Sequence, residues 1–257
     1  MLDYMTIHTD KKTYIQDIVR KVILIVFYFL MMDVFSTYLA KLLLLMFPSI
    51  DKLLATAIMQ YVIYVPILVA CILLLKNEIK ESIDIAKESR YQKFLSTIGI
   101  GLISAYGLNI LGGILSNALS SADNSANEAA IEEMFKSSYG MLIVVLVCII
   151  APVVEEIVYR GAILRGLEKL KISPAVALII SSLIFGFIHV LTAGDYAQVF
   201  PYIFMGLALG FVYQKTKSLV ASITIHMLIN TISTSLQFFL LMMEALKLIP
   251  EGTIWKG

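Results

Sequence analysis

Charge is what this chain has least of. Only 15% of its 257 residues are Asp, Glu, Lys or Arg, where a soluble globular domain carries about 25%. An ordinary cytosolic enzyme and a charge-rich disordered chain are both excluded. Cysteine is nearly missing too: Cys71 and Cys148 each stand alone inside an apolar run. They offer neither a disulfide framework nor a CxxC metal site. Twenty basic residues against 19 acidic ones leave a net charge of +1, too weak a field for a nucleic-acid partner. No repeat of fixed period runs through the sequence.

What fills the chain instead is apolar: 59% of residues are hydrophobic, with a mean hydropathy of +0.87. A spanning helix needs about 20 mostly apolar residues. Seven stretches qualify, at 22–47, 53–75, 94–117, 140–164, 174–191, 199–214 and 218–243, the fifth and sixth of them short. The expectation is an all-α membrane protein, a polytopic bundle of about seven transmembrane helices in the lipid bilayer, of the prokaryotic cell-membrane type. The first stretch has too long an apolar core, and lacks a following small-residue site, to be a cleavable signal peptide.

Lysine and arginine orient this bundle. One set of connections holds Lys11, Lys12, Arg20, Lys21, Lys76, Lys80, Lys87, Arg90, Lys93, Arg165, Lys169, Lys171, Lys215 and Lys217, fourteen in all; the other holds Lys52, Lys136, Lys247 and Lys256, four. The positive-inside bias then predicts the N-terminus inside and the C-terminus outside. By organisation, residues 1–117 carry the first three spans and 118–139 form a polar external linker. Residues 140–243 carry the remaining helices, and 244–257 are a tail where Trp255 can rest at the interface. Ala129, Ile131, Met134 and Phe135 suit a short interfacial helix within the linker, which reads as a connection and not as a catalytic element. Gly206 and Gly210 have GxxxG spacing, a signature of close helix packing.

The informative residues are polar ones inside apolar spans. The fourth stretch contains Glu155, Glu156 and Arg160, the fifth Phe185 and His189, the seventh His226 and Asn230; the third histidine, His8, lies in the polar N-terminal tail. Each unpaired charge at a helix centre costs about 2.5–3.5 kcal/mol on the insertion scale. Glu156 and Arg160, four apart, share a helix face and can pair. Glu155 points about 100° away and stays available. His226 and Asn230 also share a face, and Pro152 should loosen or kink the helix beside the acids.

EExxxR (Glu155, Glu156, Arg160), FxxxH (Phe185, His189) and HxxxN (His226, Asn230), in this order on separate membrane helices, resemble the three motifs of the CPBP intramembrane proteases. That family comprises type II CaaX prenyl endopeptidases and Abi bacteriocin-immunity proteins. The resemblance covers roughly 140–240 and implies that these polar positions serve an intramembrane endopeptidase acting on a membrane-bound or lipidated peptide or protein. It also implies a water activated by glutamate and histidine.

The chemistry of peptide hydrolysis assigns the roles. An activated water, donors for the oxyanion and a proton for the leaving amine are required. Glu155 reads as the base, His189 as its partner on the same water, and His226 with Asn230 as oxyanion donors. Glu156 and Arg160 read as a supporting ion pair, Tyr159 and Phe185 as packing. The bland alternatives are a Glu155 reaching headgroup water and histidines that are merely hydrogen-bonded in the core. A competing metal reading takes Glu155, His189 and His226 as zinc ligands with an open fourth position. No HExxH brings two histidines together, and the resemblance argues against a required metal, so no cofactor is the first expectation and zinc the alternative.

Two other function classes fit the same residues. One is a non-enzymatic immunity or peptide-binding scaffold. The other is a proton-coupled transporter using Asp33, Glu155 and Glu156 as a relay. Asp33, mid-span with Lys41 two turns on, reads as pairing or cavity lining, and Lys41 can snorkel. Counting 1.5 Å per residue from the basic ends puts Glu155 about 15 Å deep, His226 about 12 Å and His189 about 22 Å. That mismatch calls for a tilt, a kink or a late helix start, and the depths predict a cavity open to the cytoplasm.

Overall fold

The computed structural model describes residues 11–119 and 125–249. His8, Trp255, Lys256 and linker residues 120–124 lie outside them. Nine helical segments run through the described residues: α1 Thr13–Met46, α2 Lys52–Leu74, α3 Lys76–Glu88, α4 Tyr91–Leu119, α5 Ala126–Phe135, α6 Gly140–Lys169, α7 Pro174–Val190, α8 Tyr196–Thr216 and α9 Leu219–Glu244. Six are long and apolar enough to cross a membrane, and α7 is a shorter apolar helix. The protein is an all-helical, multi-pass integral membrane protein, compatible with the expected bundle of about seven.

Helix starts follow local chemistry. Asp51, Ser125 and Ser173 each accept a backbone N–H three residues on, from Leu54, Glu128 and Val176, the usual way of satisfying a helix's first donors. Pro174 follows Ser173 at the first helical position, where its missing N–H costs nothing. The linker residues expected to be helical form α5. Helix α3 is an addition. Its charge-rich sequence is hidden from hydropathy, yet Ile79 and Ile83 lie one turn apart and Glu78 and Ser82 turn inward to be buried.

At the centre stand α6 and α8, the most buried of the spans. Lipid tails are as apolar as the side chains, so close packing rather than water exclusion holds such helices together. Glycines make the approach possible. A Cβ on Gly206 would lie 3.0 Å from Ser182 Cα of α7, and one on Gly112 would lie 2.7 Å from the Pro201 backbone. The GxxxG spacing is therefore a packing device, as its pattern suggests.

The two ends of the bundle are built differently. At the basic pole, Lys21 is buried between Asp17 (2.6 Å) and Glu78 (2.5 Å). Lys169 also pairs with Asp17, Arg165 with Glu81, and Lys217 with Glu168. Helix α3 closes over the start of α9 here. Ser82 Oγ accepts from the Leu219 backbone N–H, and Ser218 Oγ donates to the Ser82 carbonyl. At the linker pole Tyr202 Oη hydrogen-bonds Ser125 Oγ at 2.5 Å and accepts from Asn127 Nδ2, Asp195 accepts from the Ala126 N–H, and Lys136 pairs with Glu132 along α5.

Candidate active site

Helix α6 presents the acids on an irregular coil. Residues Leu146–Ile150 and Ile157–Leu164 are wound as π-helix, and between them Ala151–Glu156 is α-helical. Pro152 opens that α piece but lies inside the continuous α6, so its missing N–H leaves a carbonyl of the preceding turn without its intrahelical donor. The expected kink thus takes the form of a change in winding. Single π turns recur at functional sites, and here they bracket the one stretch of the span that carries two carboxylates.

Glu156, Arg160 and His226 form a sealed cluster. Arg160 Nη1 lies 2.9 Å from Glu156 Oε1, both side chains being almost wholly buried. Arg160 Nη2 donates to the Gly206 carbonyl at 3.0 Å, and its guanidinium sits 4.9 Å from the Phe185 ring centre. Gly206 thus admits α7 and also lends α6 a carbonyl. The same Glu156 oxygen meets His226 Nδ1 at 3.0 Å. Tyr159 packs edge-on against Phe185 and Tyr28, so the F of FxxxH is the wall that arginine, tyrosine and histidine share.

Glu155 faces another way, as its position one residue earlier requires. Tyr64 Oη donates to Glu155 Oε1 at 3.4 Å, and His226 Nε2 lies 3.8 Å from Glu155 Oε2. His226 therefore bridges the two acids. His189 hydrogen-bonds the Phe185 carbonyl through Nδ1 at 2.7 Å and stacks on Tyr202. A carbonyl only accepts, so this bond places a proton on Nδ1 and leaves Nε2 as the free nitrogen. The ionised Glu156 does the same for His226. Asn230 Nδ2 donates to the Val147 carbonyl at 2.9 Å, which uses one of its two amide hydrogens.

Glu155, His189, His226 and Asn230 all line one cavity of about 310 Å3. Its wall continues to Asn109, Asn127, Glu128 and Gln237, which belong to the linker-side halves of the helices and to α5. The cavity's lining extends toward the linker pole, whereas the depths predicted a cavity open at the basic face. The physical reason is helix length. α6 stays helical to Lys169, so Glu155 is about 21 Å from its basic end, matching His189 on α7. α9 starts beneath α3, at the buried Ser218 and Leu219, so His226 lies deeper than its count suggested.

A second space, about 620 Å3, runs between α1 and α7 and shares Met32, Asn127, Ile188 and His189 with the first. Asp33 lies on its rim, within a π-wound stretch at Leu30–Phe35. It lines a cavity, one of its two expected roles, and forms no ion pair with Lys41. The linker helix, read as a mere connection, supplies cavity wall through Asn127, Glu128 and Ile131. Glu128 stands at the mouth with much of its surface open. The protein packed around its carboxyl still raises the pKa above the ordinary value, and the nearby Asp195 charge adds to this.

Sequence reasoning missed Tyr64, Tyr202 and Asn127. Tyrosines in apolar spans look like packing, and their only signal was a phenol that needs a partner once buried. For a metal, the arrangement is a poor fit. Among the described residues no three His, Cys, Asp or Glu side chains gather closely enough to hold an ion. Glu155 and His226 approach each other, but His189 does not complete a zinc tripod with them.

Comparison with known proteins falls on the same helices. Residues 137–232 match the family model described as type II CAAX prenyl endopeptidase Rce1-like, and every motif residue named above lies within that range. YdiL of Bacillus subtilis, named as a candidate membrane peptidase, is 32% identical over 96 residues, 37% of this chain and 37% of its own. An uncharacterised protein of Mycoplasma capricolum is 34% identical over 79 residues, 31% of this chain and 22% of its own. The chain thus matches well under half the length of these relatives. No solved structure matches. Residues 137–232 carry the Rce1-like pattern; α1 to α5 fall outside it.

Proposed function

We propose that this chain is an intramembrane endopeptidase that hydrolyses a peptide bond in a membrane-bound or lipidated, CaaX-like protein or peptide, without a metal. The observation that supports this most is Glu155. Its carboxylate stands on a cavity inside an apolar bundle, meets a phenol and an imidazole edge, and among the described residues has no Lys or Arg in ion-pair contact, Arg160 being held by Glu156. A carboxylate kept unpaired at membrane depth is costly and marks function.

The steps follow from the hydrogen bonds. Glu155, aided by His189 Nε2, takes a proton from a water as its oxygen adds to the substrate carbonyl carbon. The second Asn230 amide hydrogen is the donor for the oxyanion. His226 can add a donor only as imidazolium, because its Nδ1 is engaged with Glu156. The proton then passes to the amide nitrogen, the C–N bond breaks, and a carboxylic acid and an amine leave, the acid giving up its remaining proton on release. Glu156 and Arg160 touch no substrate; they hold His226 and α8 in register.

The test compares wild type and Glu155→Gln, purified in detergent, on membrane-embedded and prenylated peptides, with and without chelator, read by mass spectrometry. Cleavage by wild type alone, unchanged by chelator, is the expected result. Loss of cleavage with chelator, restored by zinc, would instead install the zinc reading. Peptide binding that survives Glu155→Gln, with no cleavage by either protein, would install the scaffold reading.

A further inference from the structure

The two poles carry different charge, and only one of them gives access to the acids. Among the described residues, fourteen Lys and Arg positions accompany six acids at the basic pole, and buried or bridging ion pairs tie α1, α3, α6 and the residue after α8 together. Lys21, 2% exposed, is buried between Asp17 and Glu78 on this face. At the linker pole Lys41, Lys52, Lys136 and Lys247 are outnumbered by Asp51, Glu128, Glu132, Glu133, Asp195 and Glu244. Basic residues are retained on the cytoplasmic side of a membrane protein, while acids contribute little to orientation. The cavity's wall contains linker-pole residues and none of the basic set.

From this we infer that the catalytic cavity opens on the non-cytoplasmic face. Resting on the peptidase reading above, the substrate class follows: a chain anchored in the membrane whose cleavable segment lies in the leaflet away from the cytoplasm. A lipidated protein at the cytoplasmic surface would meet the closed, ion-paired pole. The space between α1 and α7 provides a side entrance from lipid. Phe29, Leu183 and Phe187 line it, and it leads past His189 into the cavity. An anchored segment in that leaflet can slide in without first leaving the bilayer.

Sidedness is tested by labelling in intact cells. In a background with Cys71 and Cys148 replaced by Ala, single cysteines are placed at Ala130 and Glu133 on α5, at Gln237 in the cavity, and at Glu88 on α3. A membrane-impermeant maleimide is expected to label A130C, E133C and Q237C from outside, and E88C only after permeabilisation. Labelling of E88C from outside, with the α5 positions protected, overturns the inference.

A second arm expresses the protein with single-span anchors bearing a randomised juxtamembrane segment, in both orientations. Glu155-dependent cleavage should be at least tenfold greater for outward-facing segments. Equal or greater cleavage of inward-facing ones overturns the substrate class. If the labelling pattern holds and neither library is cut, the peptidase reading fails while the sidedness of the cavity stands.

Discussion

Replacing Arg160 by Met isolates what the buried ion pair does. Arg160 is 1% exposed and Glu156 is fully enclosed, so the substitution leaves a carboxylate with no water and no counter-charge. Removing one partner of such a pair costs about 3–5 kcal/mol, more than the pair itself contributes, because the survivor is uncompensated. The lost hydrogen bond to the Gly206 carbonyl is part of that figure. At about 2–4 °C per kcal/mol for a chain of this size, the thermal midpoint in detergent should fall on the order of 10 °C. Replacing both residues (Glu156→Gln with Arg160→Met) removes the charge as well as its partner. The double variant should recover most of the loss, to within about 2 kcal/mol of wild type. It keeps an amide oxygen for His226 Nδ1. The assay is a four-member thermal series followed by tryptophan-independent dye binding. A double variant that loses the sum of the two single effects, or an R160M melting within 2–3 °C of wild type (about 1 kcal/mol), would refute the coupling.

Gly206→Val places a side chain against the Ser182 backbone, where a Cβ alone already stands at 3.0 Å. It should cost about 1–3 kcal/mol and lower activity by moving α7 and its Phe185 off Arg160, read as a joint fall in thermal midpoint and turnover. Asn230→Ala removes the proposed oxyanion donor and should lower kcat by about 10²–10³ with little change in KM. A rise in KM alone would place Asn230 in substrate binding. The raised Glu128 carboxyl has a definite sign: native protein holds the proton more tightly than the unfolded chain, so stability is lost as pH rises from the ordinary value of 4.5 through the raised one. Glu128→Gln should therefore melt higher than wild type at pH 8 and show a smaller difference at pH 4; the opposite trend would contradict the assigned cause.

The long apolar spans were legible because a membrane imposes one requirement, about 20 apolar residues, that hydropathy measures directly. Their ends were not. The first helix is already wound at Lys11 and α6 continues to Lys169, since charged turns stay helical where ion pairs satisfy them. α3 was hidden for the same reason. The Glu156–Arg160 pair could be read from spacing alone, because i and i+4 meet on any helix. The two-sided placement of His226 between the acids could not, because it depends on where α9 starts, and α3 sets that. The direction of the cavity failed on this point too: depth counted from the ends of apolar runs assumes that all helices begin in one plane. The part played by α5 was out of reach, as an amphipathic pattern identifies an interfacial helix without saying that it folds back over a cavity.

The π winding on both sides of the acids has a consequence for how this helix can change length. A π stretch accommodates one more residue than the α-helix it replaces, so a one-residue deletion in 146–150 can be absorbed by reverting to α winding. The chain beyond it would then keep its register at the basic pole, where Arg165 and Lys169 are tied. The same deletion at 152–154 has no slack within the α piece and would rotate both carboxylates together by about 100° relative to the turns before them. Length variation in this span should therefore concentrate at 146–150 and 157–164. The six residues between them behave as a fixed cartridge, whose aim is adjusted from either side without altering the cartridge itself.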